Sequence, residues 1–353
     1  MKLFKCTNCG QLIYFENTYC QNCNYSVGFD LDSFQMLSLD TDGKACIKGS
    51  IKNKKAYRYC FNFQYSVCNW LIEKNSNSDF CKACELNRTI PDLSKNEYRE
   101  RWRLIEVAKH RVLFSLFRMN LPVISKQVNV GSGLVFDFKA NETPDETIYT
   151  GHNDGTITIN IAEADDIERE MVRRSMHESY RTLLGHFRHE IGHYYWDRLI
   201  RDTNNVDAFR TVFGDERANY KEALEKYYEH GATITWNENY ISAYASSHPW
   251  EDWAETWAHY MHIIDTLETA YSFGLSVDPL AGETTKEFKT RIKTDPYIVK
   301  DFDYLFRLWL PLTFAMNSLN RSMGTKDPYP FVITSSVKNK IAFIHDLIVA
   351  YTA

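Results

Sequence analysis

Two periods of apolar residues run through the chain. Gly133-Leu-Val-Phe-Asp-Phe-Lys139 alternates as a strand does, and Thr147 to Ala162 holds two β-branched runs around Asn153-Asp154-Gly155, which predicts a hairpin. Helical spacing takes over elsewhere. Trp102, Ile105, Ala108, Val112, Leu113 and Leu116 predict an amphipathic helix over 96–120, opened by Ser94 and Glu97 at capping-box spacing after Pro91. From Tyr180 onward Leu183, Leu184, Phe187, Ile191 and Tyr194 form one apolar stripe. Further helical segments are predicted near 206–228, 250–272, 300–320 and 336–351. Few strands and many helices make the expected fold α+β, its later part mostly helical with a small β-sheet.

The cysteines add a boundary that the hydrophobic pattern does not show. All nine precede residue 85. The chain is therefore read as a zinc-ribbon region over 1–95, a connecting helix over 96–120 and a larger domain over 121–353. Cys6-x2-Cys9 and Cys20-x2-Cys23 are two pairs of the kind that hold one structural zinc with four thiolates. A redox reading is disfavoured because two such pairs occur without a βαβ context. Cys60, Cys68 and Cys81-x2-Cys84 are the second four-cysteine cluster, with irregular spacing in its first half. Cys46 is either the spare or a replacement for Cys60. Neither ribbon is expected to have much core, so each zinc should supply folding free energy rather than chemistry.

The net charge of −5 argues against a nucleic-acid binder over the whole length. Residues 1–95 carry 12 Lys and Arg against 9 Asp and Glu, however, whereas the rest carries 29 against 37. A nucleic-acid partner is thus admissible for the ribbons. Arg99, Arg101, Arg103, Lys109 and Arg111 are read as solvated charges of the connecting helix rather than as a nucleic-acid contact. The opening residues contain no apolar signal segment, and no stretch approaches the ~20 apolar residues of a membrane span. The expectation is a cytoplasmic protein without a membrane partner.

His189-Glu190-Ile191-Gly192-His193 carries the chemistry. Two histidines four apart on a helix can reach one zinc ion, and Glu190 beside them can take a proton from a zinc-bound water. A catalytic zinc needs a third protein ligand and an open position. The best source is Ser247-His-Pro-Trp-Glu-Asp-Trp-Ala-Glu-Thr-Trp-Ala-His-Tyr260. Pro249 suits the first helical position, which puts Glu251 in the first turn and Glu255 one turn on. Glu251 is the preferred ligand, with Glu255 fixing a ligating histidine; Glu255 as the ligand is the alternative. His186 is read as a partner of a neighbouring polar group. His248, His259 and Tyr244 are weaker candidates for steadying an oxyanion.

These blocks resemble a bacterial family that joins an N-terminal zinc-ribbon region to a C-terminal zincin-like, zinc-binding metallopeptidase domain. Cys60 to Ser94, Gly151 to Asp166, Thr182 to Arg198 and Ser242 to Tyr260 carry the resemblance. It implies the fold and zinc hydrolase chemistry. The acidic element also looks like that of glutamate-ligand zincins (gluzincins), in which the first acid binds zinc and the second supports a histidine. The expected function is a zinc-dependent peptidase with one catalytic and two structural zincs acting on a peptide or protein. By analogy with zincins, the substrate would pair with an edge strand, Thr156 to Ile161. The alternative is a ribbon protein that binds nucleic acid or protein and carries an inactive or regulatory zincin domain.

Overall fold

A computed structural model describes residues 2–47, 50–141, 143, 148–175, 182–280 and 286–352. The fold is α+β, a cysteine-rich ribbon region followed by a mostly helical part with small sheets. It divides into two compact units, one of residues 1–113, 124–150 and 156–165, the other of 114–123, 151–155 and 166–353. Among the described residues no helix is long and apolar enough to cross a membrane.

In the first unit the antiparallel pair Leu3–Lys5 and Leu12–Tyr14 brackets Cys6 and Cys9. A five-stranded antiparallel meander follows: Ser26–Asp30, Gln35–Leu39, Lys44–Ile47, Ser50–Tyr59 and Leu71–Glu73. The hydrophobic pattern does not announce it. Its first two strands are buried at four successive positions, so both faces are covered and alternation is lost. The ribbon region also has a core, contrary to expectation. Phe15, Phe29 and Trp70 are buried, with ring centroids 5.0 and 4.8 Å apart, and Leu37, Leu39, Ala45, Tyr57 and Leu71 form a second cluster.

A smaller sheet holds Asn87–Thr89, Val135–Lys139 and Thr156–Asn160 in parallel, with Ile157 opposite Phe136 and Ile159 opposite Phe138. Strands Gly151–Asn153 and Thr156–Asn160 flank a turn at Asp154-Gly155, where both residues have positive φ. Thr147 lies outside the described residues. Thr156–Asn160 is an inner strand, so the expected pairing of substrate along its edge is not available.

Helix α1 (Asn96–Arg118) buries all six apolar residues that its spacing marked. Its charges are not all solvated. Lys109 and Glu106 are fully buried and paired at 2.8 Å.

The second unit is helical: α2 (Asp166–Ser175), α3 (Leu183–Trp196), α4 (Val206–Phe213), α5 (Tyr220–His230), α6 (Pro249–Phe273), α7 (Phe302–Ser322) and α8 (Ser335–Thr352). The Thr182 hydroxyl caps α3 by accepting from the Gly185 N–H at 3.0 Å; Tyr180, from which the stripe was read, lies outside the described residues. The segment expected as one helix over 206–228 is two. Gly214, at φ +98°, ends α4, and Asn219 caps α5. Near the start of α6, the buried Asp252 accepts an ion pair from Lys340 of α8 at 2.6 Å.

Helices α3 and α6 pack at the heart of this unit, and Gly192 allows their close approach. A Cβ there would stand 3.0 Å from the Ala254 Cα and 3.1 Å from the Trp257 Cβ. The Gly192 carbonyl accepts from the Trp253 indole N–H at 2.8 Å, and Tyr195 stacks on Trp257 at 4.9 Å. In an open helix Gly→Ala gains about 1 kcal/mol. Gly192→Ala is instead expected to lose about 1–3 kcal/mol to overpacking, measured as a lower urea midpoint at unchanged slope. A rise in the midpoint would show that the helices yield at this contact.

Candidate metal centre

One helical turn separates His189 from His193, so their imidazoles project together, ring centroids 4.8 Å apart and nearly perpendicular. The third group arrives at the start of α6. His248 caps that helix, its Nδ1 accepting from the Trp250 N–H at 3.1 Å, and Pro249 follows in the first turn. This fixes Glu251 in the first turn, almost wholly buried. Its Oε2 lies 3.1 Å from the His189 Nε2 and 3.5 Å from the His193 Nε2, and the two nitrogens are 3.2 Å apart. Ligand atoms on a tetrahedral zinc with bonds of about 2.0–2.1 Å stand about 3.3 Å from one another. The triangle fits such an ion.

The two Glu251 oxygens differ in their surroundings. Oε1 accepts from the Tyr220 hydroxyl at 2.7 Å. Oε2 is buried without a hydrogen-bond donor, a costly state for a carboxylate oxygen unless a cation meets it. Burial alone would raise the Glu251 carboxyl, but the facing histidines hold it well below the usual carboxylate range.

Glu255 stands behind His189. Its Oε1 lies 2.7 Å from Nδ1, and its Oε2 accepts from the Ser242 hydroxyl at 2.7 Å. Burial would raise its carboxyl; the bonds from His189 and Ser242 help hold it down to about 2. A carboxylate on Nδ1 keeps the proton there and leaves Nε2 with its lone pair free. Glu190 is 8% exposed, and among the described residues no hydrogen bond or ion pair reaches its carboxylate. Its charge acts on the Tyr220 and Tyr244 hydroxyls.

The remaining candidates separate. The ligand atoms that converge are those of His189, His193 and Glu251, without His186. Asp197, one turn beyond His193 and a further carboxylate near the motif, pairs with Arg201 at 2.8 Å. His248 spends its second nitrogen on the Ala218 carbonyl at 3.1 Å, and the His259 Nδ1 meets the Tyr329 hydroxyl at 2.9 Å. The Tyr244 ring lies 6.1 Å from that of His189. Sequence reasoning missed Tyr220 and Ser242, and also His152, whose ring lies 6.2 Å from that of His193. The one signal for Tyr220 was the helix cap at Asn219, hidden inside a segment that reads as continuous helix.

Both cysteine sets gather. Sulfurs of Cys6 and Cys23, and of Cys9 and Cys20, lie 3.6 Å apart, and those of Cys68 and Cys81 3.7 Å apart. In each set all four sulfurs lie within 4.8 Å of one another. These separations exceed a disulfide bond of about 2.05 Å and approach the ~3.8 Å edge of a tetrahedral four-thiolate zinc. The seven-residue gap after Cys60 is taken up by a 3₁₀ turn, Phe61–Tyr65, which ends at Ser66 in the left-handed region. The Cys46 side chain lies outside the described residues. Backbone N–H groups of Cys81 and Trp70 point at the Cys60 and Cys68 sulfurs, and the His110 Nε2 lies 3.9 Å from Cys84. Such donors oppose the burial that pushes the Cys68 thiol up.

With this donor set in view, the comparisons with known proteins have a physical counterpart. The model of a family described as "Putative zinc-binding metallo-peptidase" matches residues 98–347. The chain belongs to that family. A zinc-ribbon domain model matches residues 3–95. Uncharacterized proteins of Mycobacterium tuberculosis and Mycobacterium bovis are each 36% identical over 349 residues, covering 99% of this chain and 95% of the relative. No solved structure matches the chain significantly.

Proposed function

We propose that the protein is a zinc-dependent peptidase in which His189, His193 and Glu251 hold one zinc through Nε2, Nε2 and Oε2. The cysteine sets Cys6, Cys9, Cys20, Cys23 and Cys60, Cys68, Cys81, Cys84 hold two structural zincs. The observation that carries the reading is the buried, donorless Glu251 Oε2 facing two imidazole nitrogens at 3.1 and 3.5 Å. Zinc bound there supplies Lewis acidity and brings the pKa of a coordinated water towards about 7.

The chain's own groups do the rest. Glu255 retains the proton on the His189 Nδ1, so that Nε2 stays a ligand rather than a donor. Ser242 holds Glu255 in turn. Glu190 accepts a proton from the attacking water and returns one to the departing amine. The four-thiolate sets are closed and offer no such position, so they act in folding or in recognition.

The test is a zinc count joined to an activity screen. Full-length protein loaded with zinc is expected to carry three ions per chain and to cleave members of a quenched-fluorescence peptide library. His193→Ala should carry two ions and cleave none. A three-zinc protein that cleaves no peptide would overturn the peptidase reading, and a His193→Ala variant with three zincs would overturn the metal site.

A further inference from the structure

One contact of the metal centre that the sequence did not foreshadow leads to a helix that is held lightly. None of the eleven residues of α5 is buried. Gly231, at φ +72°, ends it, and Gly214, at +98°, ends the helix before it; no atom stands within 4 Å of where a Gly231 Cβ would be. Its first residue reaches the centre. The Tyr220 hydroxyl donates to the Glu251 Oε1 at 2.7 Å, and its ring lies 5.1 Å from that of His248 and 5.8 Å from that of Trp250. A third aromatic contact joins Tyr227 to Tyr244 at 5.7 Å.

A carboxylate with two free oxygens can bind a metal through either or both. Here one oxygen is committed to a phenol, which leaves a single oxygen directed at the histidines. We infer that Tyr220 is a positioning residue with two linked effects. It fixes Glu251 as a one-oxygen ligand, and through the same hydrogen bond it latches α5 onto the metal centre. The inference rests on the metal site proposed above. Because the coupling is reciprocal, filling the site must steady α5 by as much as the seated helix tightens the site.

The experiment uses Tyr220→Phe in the full chain, which keeps the ring and removes only the hydroxyl. Two quantities are read, the affinity of the histidine-site zinc by chelator competition and hydrogen exchange across residues 220–230. Loss of a hydrogen bond to a ligating side chain is expected to weaken that zinc about 10–100-fold while both ribbon zincs stay in place. Exchange in α5 should accelerate in zinc-loaded Tyr220→Phe, and should accelerate in wild type too when the histidine-site zinc is withdrawn. Unchanged affinity would overturn the positioning effect, and unchanged α5 exchange would overturn the latch. His193→Ala separates this failure from that of the site itself. If it keeps all its zinc, the metal reading falls; if it loses one ion while Tyr220→Phe behaves as wild type, only the role of Tyr220 falls.

Discussion

Glu190→Gln is expected to bind zinc like the wild type and to hydrolyse peptides about 10²–10⁴-fold more slowly, the usual contribution of a positioned general base. Gln has the size and shape of Glu but cannot accept a proton at neutral pH. The structure makes the substitution informative because Glu190 acts on its described neighbours through charge alone. No hydrogen bond or ion pair among the described residues depends on its carboxylate, so nothing in the fold should move. The converging ligand atoms belong to His189, His193 and Glu251, so the zinc count should hold at its wild-type value. The loss should fall on kcat, with KM and the urea midpoint unchanged. Wild-type activity in this variant would remove Glu190 from the mechanism, and a lost zinc would give it a different one.

Much of this centre was readable because its parts are local. Four residues on a helix is one turn, so His189 and His193 declare themselves without tertiary information. Pro249 sets where α6 begins, and with it the turn that holds Glu251 and, one turn on, Glu255. The paired C-x2-C turns are equally local. What was hidden depends on chain reversals whose cost is repaid far away. Tyr220 meets Glu251 across 31 positions because Gly214 and the turn after it break a segment that reads as one helix from the apolar residues on either side. Cys60 and Cys68 look irregular until the left-handed Ser66 folds the chain back.

The ribbon sheet was hidden for a different reason. Period-two patterning reports strands with one wet face. Val27 to Asp30 and Met36 to Leu39 are buried on both faces, so four successive residues read as neither strand nor helix. The same blindness affected α1. Lys109 sits among basic residues on what looks like a solvated face, and only the fold shows that it has no access to water.

Lys109→Met is accordingly expected to cost about 3–5 kcal/mol, against the ~0.5 kcal/mol that a surface lysine would lose. The ammonium gives hydrogen bonds to the Glu106 Oε1 at 3.0 Å and the Asn87 Oδ1 at 2.5 Å, and stands 5.7 and 5.6 Å from the ring centroids of Phe136 and Phe138. Met fills the space of the stem but takes the ammonium from the buried Glu106 carboxylate, whose Oε2 then has the His110 Nδ1 beside it at 3.4 Å. Glu106 cannot escape by turning to solvent, because Trp102 and Asn87 already donate to its Oε1 at 3.2 and 2.6 Å. The penalty should therefore depend on the charge of Glu106. In the double variant Lys109→Met, Glu106→Gln the amide oxygen still accepts from Trp102 and Asn87 and no charge is stranded, so more than half of the lost stability should return. Urea unfolding of the four proteins in the cycle measures this directly. A cycle without coupling would mean that Lys109 acts through packing alone. A residual deficit in the double variant that disappears when the ribbon zincs are removed would show the second part of its role. The four-thiolate set beside it carries excess negative charge when filled, and the field of Lys109 acts on Cys84 and Cys81. Lys109 would then be balancing the metal cluster as well as Glu106.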